Sequence, residues 1–479
     1  MNREEFFDLA KHNPEALFQI FQQLQIQVQL LTQKVQDLEA RLAQNSTNSH
    51  RPPSSNLFKP PNPKSLREKT SKKPGGQKGH QGETLKMSPT PQHFIIHPLK
   101  VCSYCSSSLK TTLPQGYEQR QVFDIPPRTL EVTEHQAEFK TCPHCKKRSY
   151  ASFPQEVKQV VQYGKHLKAL TTYLNTYQLL PYKRIAETIQ DLFGHTLSLG
   201  TLCRINNECY ELLEPVEVLI QEQLIQAEVV HCDESGIGVK GKLGWLHVAS
   251  TPQVTLYKAH AKRGYEAIKE MGILDKLKGR AIHDHWKAYF QFACKHGLCN
   301  AHHLRELTYL EEEYGQIWAS SMKRCLKKMK KLVEEKREKV SKLSSKVLSK
   351  WSRKYERLVR AGYKENLKRE EEIPKIKKRG RVKQSKSLNL LDRLKEYQAE
   401  VLAFLYDFRV PFDNNLAERD IRMIKVKNKI SGTFRSEQGA KIFCRIRSYI
   451  SSVRKQGKNV MEALTKAFEG IPFLLSPSI

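Results

Sequence analysis

Two sets of residues in this chain have the types and spacing to do chemistry. The first is a pair of C-x-x-C knuckles, Cys102-Ser-Tyr-Cys105 and Cys142-Pro-His-Cys145. Two such turns supply four thiolates that converge tetrahedrally on one zinc ion, and neither pair alone closes the site. The gap between them exceeds the familiar ~15–20 residues. Gln121–Ile125 and Leu130–Phe139 are rich in Val, Phe, Ile and Thr, so a hairpin pair is expected to fill it. The metal would hold a small module together rather than react. The second set is made of carboxylates. Ala227–Asp233 reads as a buried strand ending in Asp233, and Arg280–Asp284 as a short strand ending in Asp284. Phe412–Lys427 predicts a helix with Asp413 or Asn414 as its cap and Glu418 in its first turns. Steps of three or four from Glu418 reach Arg422, Lys425 and Lys429, giving a carboxylate followed by a basic stripe that could hold a metal at one end and phosphates along the rest. The plain alternative is Glu418 paired with Arg422 on a solvated face.

These residues need elements to hold them. Trp245–Ser250 and Val254–Tyr257 predict a hairpin around Thr251-Pro252-Gln253, and a helix is expected from Tyr265 to Leu277. A further strand, Gly297–Cys299, runs into a helix beginning near Ala301. Three strands, a helix, and further strands alternating with helices is the order of a ribonuclease-H-like α/β sheet, in which Asp233 and Asp284 would end neighbouring strands. The expected fold class is multidomain α+β. Its parts are a coiled-coil helix (1–44), a basic linker without fixed structure (45–90), a zinc-ribbon-like module (91–155) and a helix-turn-helix-like region (156–222). The core's first part (223–307), a helical insertion (308–400), the core helix with the third carboxylate (401–436) and a C-terminal helical segment (437–479) complete it.

Leu17, Phe21, Leu24, Val28, Leu31, Val35, Leu38 and Leu42 fall in steps of four and three, the seam of a helix that wants a partner helix, in a homodimer or higher oligomer. Packing on its own domain is the alternative. Tyr182–Phe193, the breaker Gly194 and a second helix capped by Ser198 form a helical hairpin that could enter a major groove or simply pack. Pro374–Lys386 holds seven bases and no acid, which favours DNA-backbone contact over a merely solvated loop.

Composition sets the class of partner. With 479 residues and a net charge of +31, the chain repels basic partners and attracts polyanions. No apolar run approaches the ~18 residues of a membrane span. The opening Met1-Asn2-Arg3-Glu4-Glu5 has no secretory pattern, and eleven cysteines suit a reducing compartment, so a cytoplasmic location is expected.

The ordered set of motifs resembles the insertion-sequence-66 family of transposases. It comprises the opening heptads, Gly75-Gly-Gln-Lys-Gly-His80, the paired knuckles, Cys232-Asp-Glu-Ser235, and Asp284 with Trp286 and Tyr289. Cys299-Asn-Ala-His-His-Leu-Arg-Glu-Leu307, Asn414-Asn-Leu-Ala-Glu-Arg419, Ser431–Ala440 and Arg447–Gly457 follow. The resemblance implies a DDE transposase that binds element ends and target DNA, with Asp233, Asp284 and Glu418 as catalytic and metal-holding carboxylates for two Mg2+ (or Mn2+) ions. Glu234 has no primary role in this reading, and His283 and His285 have none assigned. Arg419, Arg422, Lys425 and Arg435 would position phosphates. The resemblance also suggests element-encoded helper proteins. A non-catalytic zinc and helix-turn-helix DNA-binding protein derived from a transposase is the alternative.

Overall fold

The computed structural model describes residues 3–45, 48, 85–125, 129–371 and 384–473. Most of the basic linker and the basic run from Pro374 to Lys383 lie outside the described residues. The chain divides into two compact units, Lys64–Thr133 with Leu192–Gly194, and the rest.

In the smaller unit the segment 121–125 is not a strand, and 129–133 is not one either. Val122 and Val132 are 91% and 89% exposed, so their β-forming side chains have no second layer to pack on, and an isolated hairpin is marginal in water. A reciprocal amide pair fixes the segment instead: Ser88 N–H donates to Gln121 Oε1 at 2.7 Å, and Gln121 Nε2 donates to Ser88 O at 2.9 Å.

In the larger unit, β1 (Phe139–Thr141) and β2 (Arg148–Tyr150) form a short antiparallel ribbon with the second cysteine knuckle at its turn. The main sheet contains β3 (Val229–Val239), β4 (Lys242–Ser250), β5 (Thr255–His260), β6 (Arg280–His283) and β7 (Lys295–Leu298), in spatial order β5-β4-β3-β6-β7. The first three run antiparallel, and β6 and β7 join parallel to β3. Asp233 lies in mid-strand rather than at the end expected for it. Beyond it Ser235 and Ile237 keep the inward alternation, and Lys240 and Gly241, with φ of 51° and 73°, make the tight two-residue turn that pairs Val239 with Lys242.

Alternation along β3 directs its residues to two cores. Val230 and Cys232 join the cluster built with the Glu214–Gln226 and Glu437–Lys455 helices, while Ile237 faces Ala417 and Ile421 of the helix that carries Glu418. Asp233 shares parity with Ile237, and Glu234 shares it with Cys232, so two adjacent acids are sent to opposite faces.

The expected helix from Tyr265 ends at Glu270, and Gly272 follows with φ +68°. The expected Phe412–Lys427 helix is two pieces, Asn415–Ile421 and Met423–Ser431, hinged at Arg422. The excursion between β7 and Glu418 is helical: Asn300–Tyr314, Ile317–Lys336, Ser345–Glu371 and Lys386–Glu396, then two single turns, around Trp318, Met322, Tyr355 and Leu391. Asn300 N–H donates to Phe412 O at 3.0 Å, so the excursion begins and ends at one hydrogen bond.

Tyr182–Phe193 and Leu199–Leu212 form the expected helical pair, with Gly194 at φ +65° between them and Ser198 capping through Thr201 N–H at 3.1 Å. At the N-terminus, Asn13 caps the Pro14–Leu42 helix. Phe21, Leu24, Val28, Leu31, Val35 and Leu38 stand exposed along it, while Tyr309 Oη donates to Ala40 O at 3.0 Å near its end. Among the described residues no helix is long and apolar enough to cross a membrane.

Candidate active site

The parallel register pairs Val229 with Arg280 and His231 with Ile282. Continued by two residues, it sets Asp233 beside Asp284, one step past the end of β6. The segment after β6 is folded by Asp284 itself, whose Oδ1 accepts from Trp286 N–H at 2.9 Å. That turn carries the chain to Tyr289, which stacks on His283 at 4.5 Å between ring centroids. His283 is fully buried and shares a 3.0 Å hydrogen bond with His296; burial pushes its pKa down to about 3, so it serves as a neutral packing and hydrogen-bonding group.

Glu418 is brought to the pair by Asn414. Of the two residues expected at the cap, Asn414 holds the N-cap position but makes no side-chain cap bond. Its amide instead reaches across to β3: Oδ1 meets His231 Nδ1 at 2.9 Å and Nδ2 donates to Cys232 O at 2.7 Å. Its backbone N–H points at Cys299 Sγ at 3.2 Å, while Asp413 Oδ1 accepts Asn415 N–H at 3.2 Å. Two residues after Glu418, Asp420 fixes the other side of the helix, accepting from Thr255 Oγ1 at 3.2 Å, Lys455 Nζ at 2.7 Å and the Ser250 hydroxyl. A helix of only seven residues is thus held at both edges by buried polar contacts.

Asp284 and Glu418 thus stand near enough to Asp233 for their charges to act on it. Asp233 is held well above the usual carboxylate range, first by burial, then by the Glu234 charge, with Asp284 and Glu418 adding to it against one backbone hydrogen bond from Glu234 N–H. Carboxylates that repel one another in a partly buried site fit a bound hard divalent cation, whose oxygen preference they match. Glu418 is lined in turn by Cys299 Sγ at 3.9 Å, His302 Nδ1 at 3.9 Å and Arg305 at 3.8 Å.

Glu234 is not placed with them. Its side chain is 2% exposed, one oxygen accepts from Arg263 at 3.0 and 2.6 Å, and the other accepts from Tyr289 Oη at 2.6 Å. Arg263 lies over the rings of Trp286 at 4.1 Å and Trp245 at 4.9 Å, which clamps it against Glu234. Sequence reasoning missed Arg263, Asp420 and the bridging role of Asn414; the doubled Asn414-Asn415 was the one visible signal.

Arg419, Arg422, Lys425 and Arg435 are all exposed around the Glu418 helix and the segment after it. Lys427 is not, lying 3.9 Å from the Phe434 ring. Phe434 itself bonds to β3: its N–H donates to Gly238 O, and Lys240 N–H donates to its carbonyl, each at 2.9 Å. A Cβ on Gly238 would stand 2.4 Å from Thr433 Cγ2, which is why glycine is needed there.

The two cysteine knuckles close alike. Ser106 and Lys146, each one residue past the second cysteine, take φ of 60° and 59°. In both, the first cysteine's carbonyl and N–H make 2.9 Å bonds to the residues four and five positions on. The Ser107 hydroxyl holds the Cys105 thiol below its ordinary pKa, and the backbone N–H groups of Cys145 and His144 do so for Cys142. Such turns favour thiolates and suit zinc.

No curated protein matches the chain. Residues 8–86 match a family of unknown function, and residues 100–146, which hold all four knuckle cysteines, match the zinc-finger binding domain of transposase IS66. Residues 160–442, more than half of the chain and inclusive of the three clustered acids, match the transposase IS66 family, and to that family the chain belongs.

Proposed function

We propose that the chain is a DDE transposase that binds the ends of its element and catalyses metal-dependent DNA strand cleavage and transfer. The observation that supports the reading is that Asp284, one step past β6, and Glu418, on a helix more than a hundred residues later, both lie near enough to Asp233 in mid-β3 for their charges to raise its pKa. The sheet order, three antiparallel strands followed by two parallel to the first, supports a ribonuclease-H-like core.

Asp233, Asp284 and Glu418 would hold two Mg2+ or Mn2+ ions. Bound there, such ions supply activation of water or a 3′-hydroxyl and stabilisation of the departing oxygen. The protein's own part is positioning. Asn414 and Asp420 fix where the Glu418 carboxylate stands, and Arg263 occupies Glu234 so that it does not compete as a ligand. Arg419, Arg422, Lys425 and Arg435 present charge to phosphates on either side of the acids.

The family's zinc-finger match supports structural zinc, held in this reading by Cys102, Cys105, Cys142 and Cys145. The helical pair 182–212 is the proposed major-groove reader. The exposed seam on Pro14–Leu42 is the proposed dimer contact, which would bring two element ends into one complex. Helper proteins remain part of the reading by family resemblance alone.

Asp233→Asn should abolish nicking of end-bearing DNA in Mg2+ while leaving end binding nearly unchanged. A variant that still nicks refutes the assignment. Wild-type protein that binds ends without nicking or joining them under any divalent ion would favour a DNA-binding regulator instead.

A further inference from the structure

We propose that Cys299, His302 and Glu418 form a binding site for a borderline-soft divalent cation of the zinc type, sharing only Glu418 with the acid cluster. The site rests on geometry. One ligand atom from each residue lies within 4.8 Å of the other two. Cys299 Sγ and His302 Nδ1 are each 3.9 Å from the same Glu418 oxygen. A tetrahedral zinc ion with bonds of ~2.0–2.3 Å has ligand-to-ligand edges of about 3.3–3.8 Å, so the two edges to Glu418 close with shifts of a few tenths of an ångström and the Cys299–His302 edge, within 4.8 Å, with a shift of at most about 1 Å.

Local structure explains why the donors meet. Cys299 stands at the N-cap position of the Asn300–Tyr314 helix, and His302 follows three residues later, near one turn of the helix. Asn414 N–H, aimed at Sγ from 3.2 Å, is a donor that a thiolate accepts better than a thiol. Binding exchanges the thiol proton for the metal and releases one H+. The thiolate and the Glu418 carboxylate then cancel the ion's two charges, so the complex is neutral where it is buried. Cys299 is 1% exposed, whereas the His302 and Glu418 side chains are 18% and 19% exposed, so the fourth position opens on the solvent side for water. Arg305, 3.8 Å from the same oxygen with a 28% exposed side chain, has room to swing away.

Sulfur and imidazole donors select zinc over magnesium. A zinc ion here would hold Glu418 away from the hard-ion cluster, so excess zinc inhibits strand cleavage. That consequence rests on the transposase reading; the binding does not.

The test counts metal on the full-length chain after loading with Zn2+ and removing free ion. Two zinc ions are expected on the wild type, one on Cys299→Ser, and one on Cys102→Ser/Cys142→Ser. One on the wild type and none on the finger variant, or two retained by Cys299→Ser, overturns the site. Co2+ loaded into the finger variant should give a thiolate-to-cobalt absorption band that is lost in Cys299→Ser. If that serine variant does not fold, His302→Gln, at a partly exposed position, must weaken Co2+ binding at least tenfold, and an unchanged titration overturns the proposal. Asp233→Asn leaves the zinc count at two whatever its effect on nicking, so an error in the transposase reading shows in the nicking assay and an error in the zinc site shows in the count.

Discussion

Asn414→Ala should uncouple Glu418 from the other two acids. The side chain makes two buried hydrogen bonds, at 2.9 Å to His231 and 2.7 Å to Cys232 O. Each is worth ~1 kcal/mol net, and truncation leaves a ring nitrogen and a carbonyl without partners at ~1–3 kcal/mol apiece. Some relaxation or water entry offsets this, so a loss of about 3 kcal/mol is expected. Burial holds His231 below its usual pKa, so it is a neutral partner at pH 7 and no charge rescues the contact. Urea unfolding should show a lower midpoint at unchanged slope. Nicking should fall by more than the unfolded fraction accounts for, because the Asn415–Ile421 helix loses its tie to β3 while remaining attached through Asp420. Asn414→Asp keeps an acceptor for His231 but loses the donor to Cys232 O, and it should be no better. A loss below ~1 kcal/mol with full nicking would show that the helix is seated by its apolar face alone.

Other outcomes follow from the same contacts. Burial lowers the pKa of His247 to about 4 and of His283 to about 3, so as pH falls below the ordinary ~6.5 the unfolded chain takes up two protons that the folded chain refuses. These two rings should therefore lower stability by ~2–3 kcal/mol per pH unit between about pH 6 and 4, with His231 adding to the fall and the raised pKa of Asp233 opposing it, and a His247→Gln variant whose profile by chemical denaturation matches the wild type would mean that this ring is not buried in solution. Gly238→Ala should cost ~1–3 kcal/mol through its clash with Thr433, partly recovered in Gly238→Ala/Thr433→Ala, as melting temperatures would report. Arg422→Gln should reduce the salt slope of DNA binding by ~0.9 for all sequences alike; an effect on one sequence only would make Arg422 a base reader. Removing residues 1–45 should lower the number of chains per particle seen by light scattering, and an unchanged number would dismiss the seam as a dimer contact.

The sheet and its acids were legible because their signals are local. Alternation, the Pro252 turn and the apolar run before Asp284 each act within a few residues, and strand direction then follows from connection length. What was hidden depends on distant partners. Nothing near Asp233 says that β3 continues to Val239, since that depends on pairing with β4 across Lys240-Gly241. The helix break at Arg422 answers to Asp420 and Lys427, each drawn to a separate buried partner. Likewise Val122 and Val132 have strand propensity without a surface to satisfy it. Glu234 and Asp233 look equivalent as neighbours; only the pleat separates them.

The single bond between Asn300 and Phe412 has a consequence for how such a protein can change. Because departure and return share one doorstep, the bundle from Ile317 to Tyr406 can lengthen or shorten at the far ends of its helices without rethreading the chain past the acids. Val401, which accepts from Asn300 Nδ2 at 2.9 Å, and Tyr397, packed on His285 and Phe290, keep its near side bound to the core.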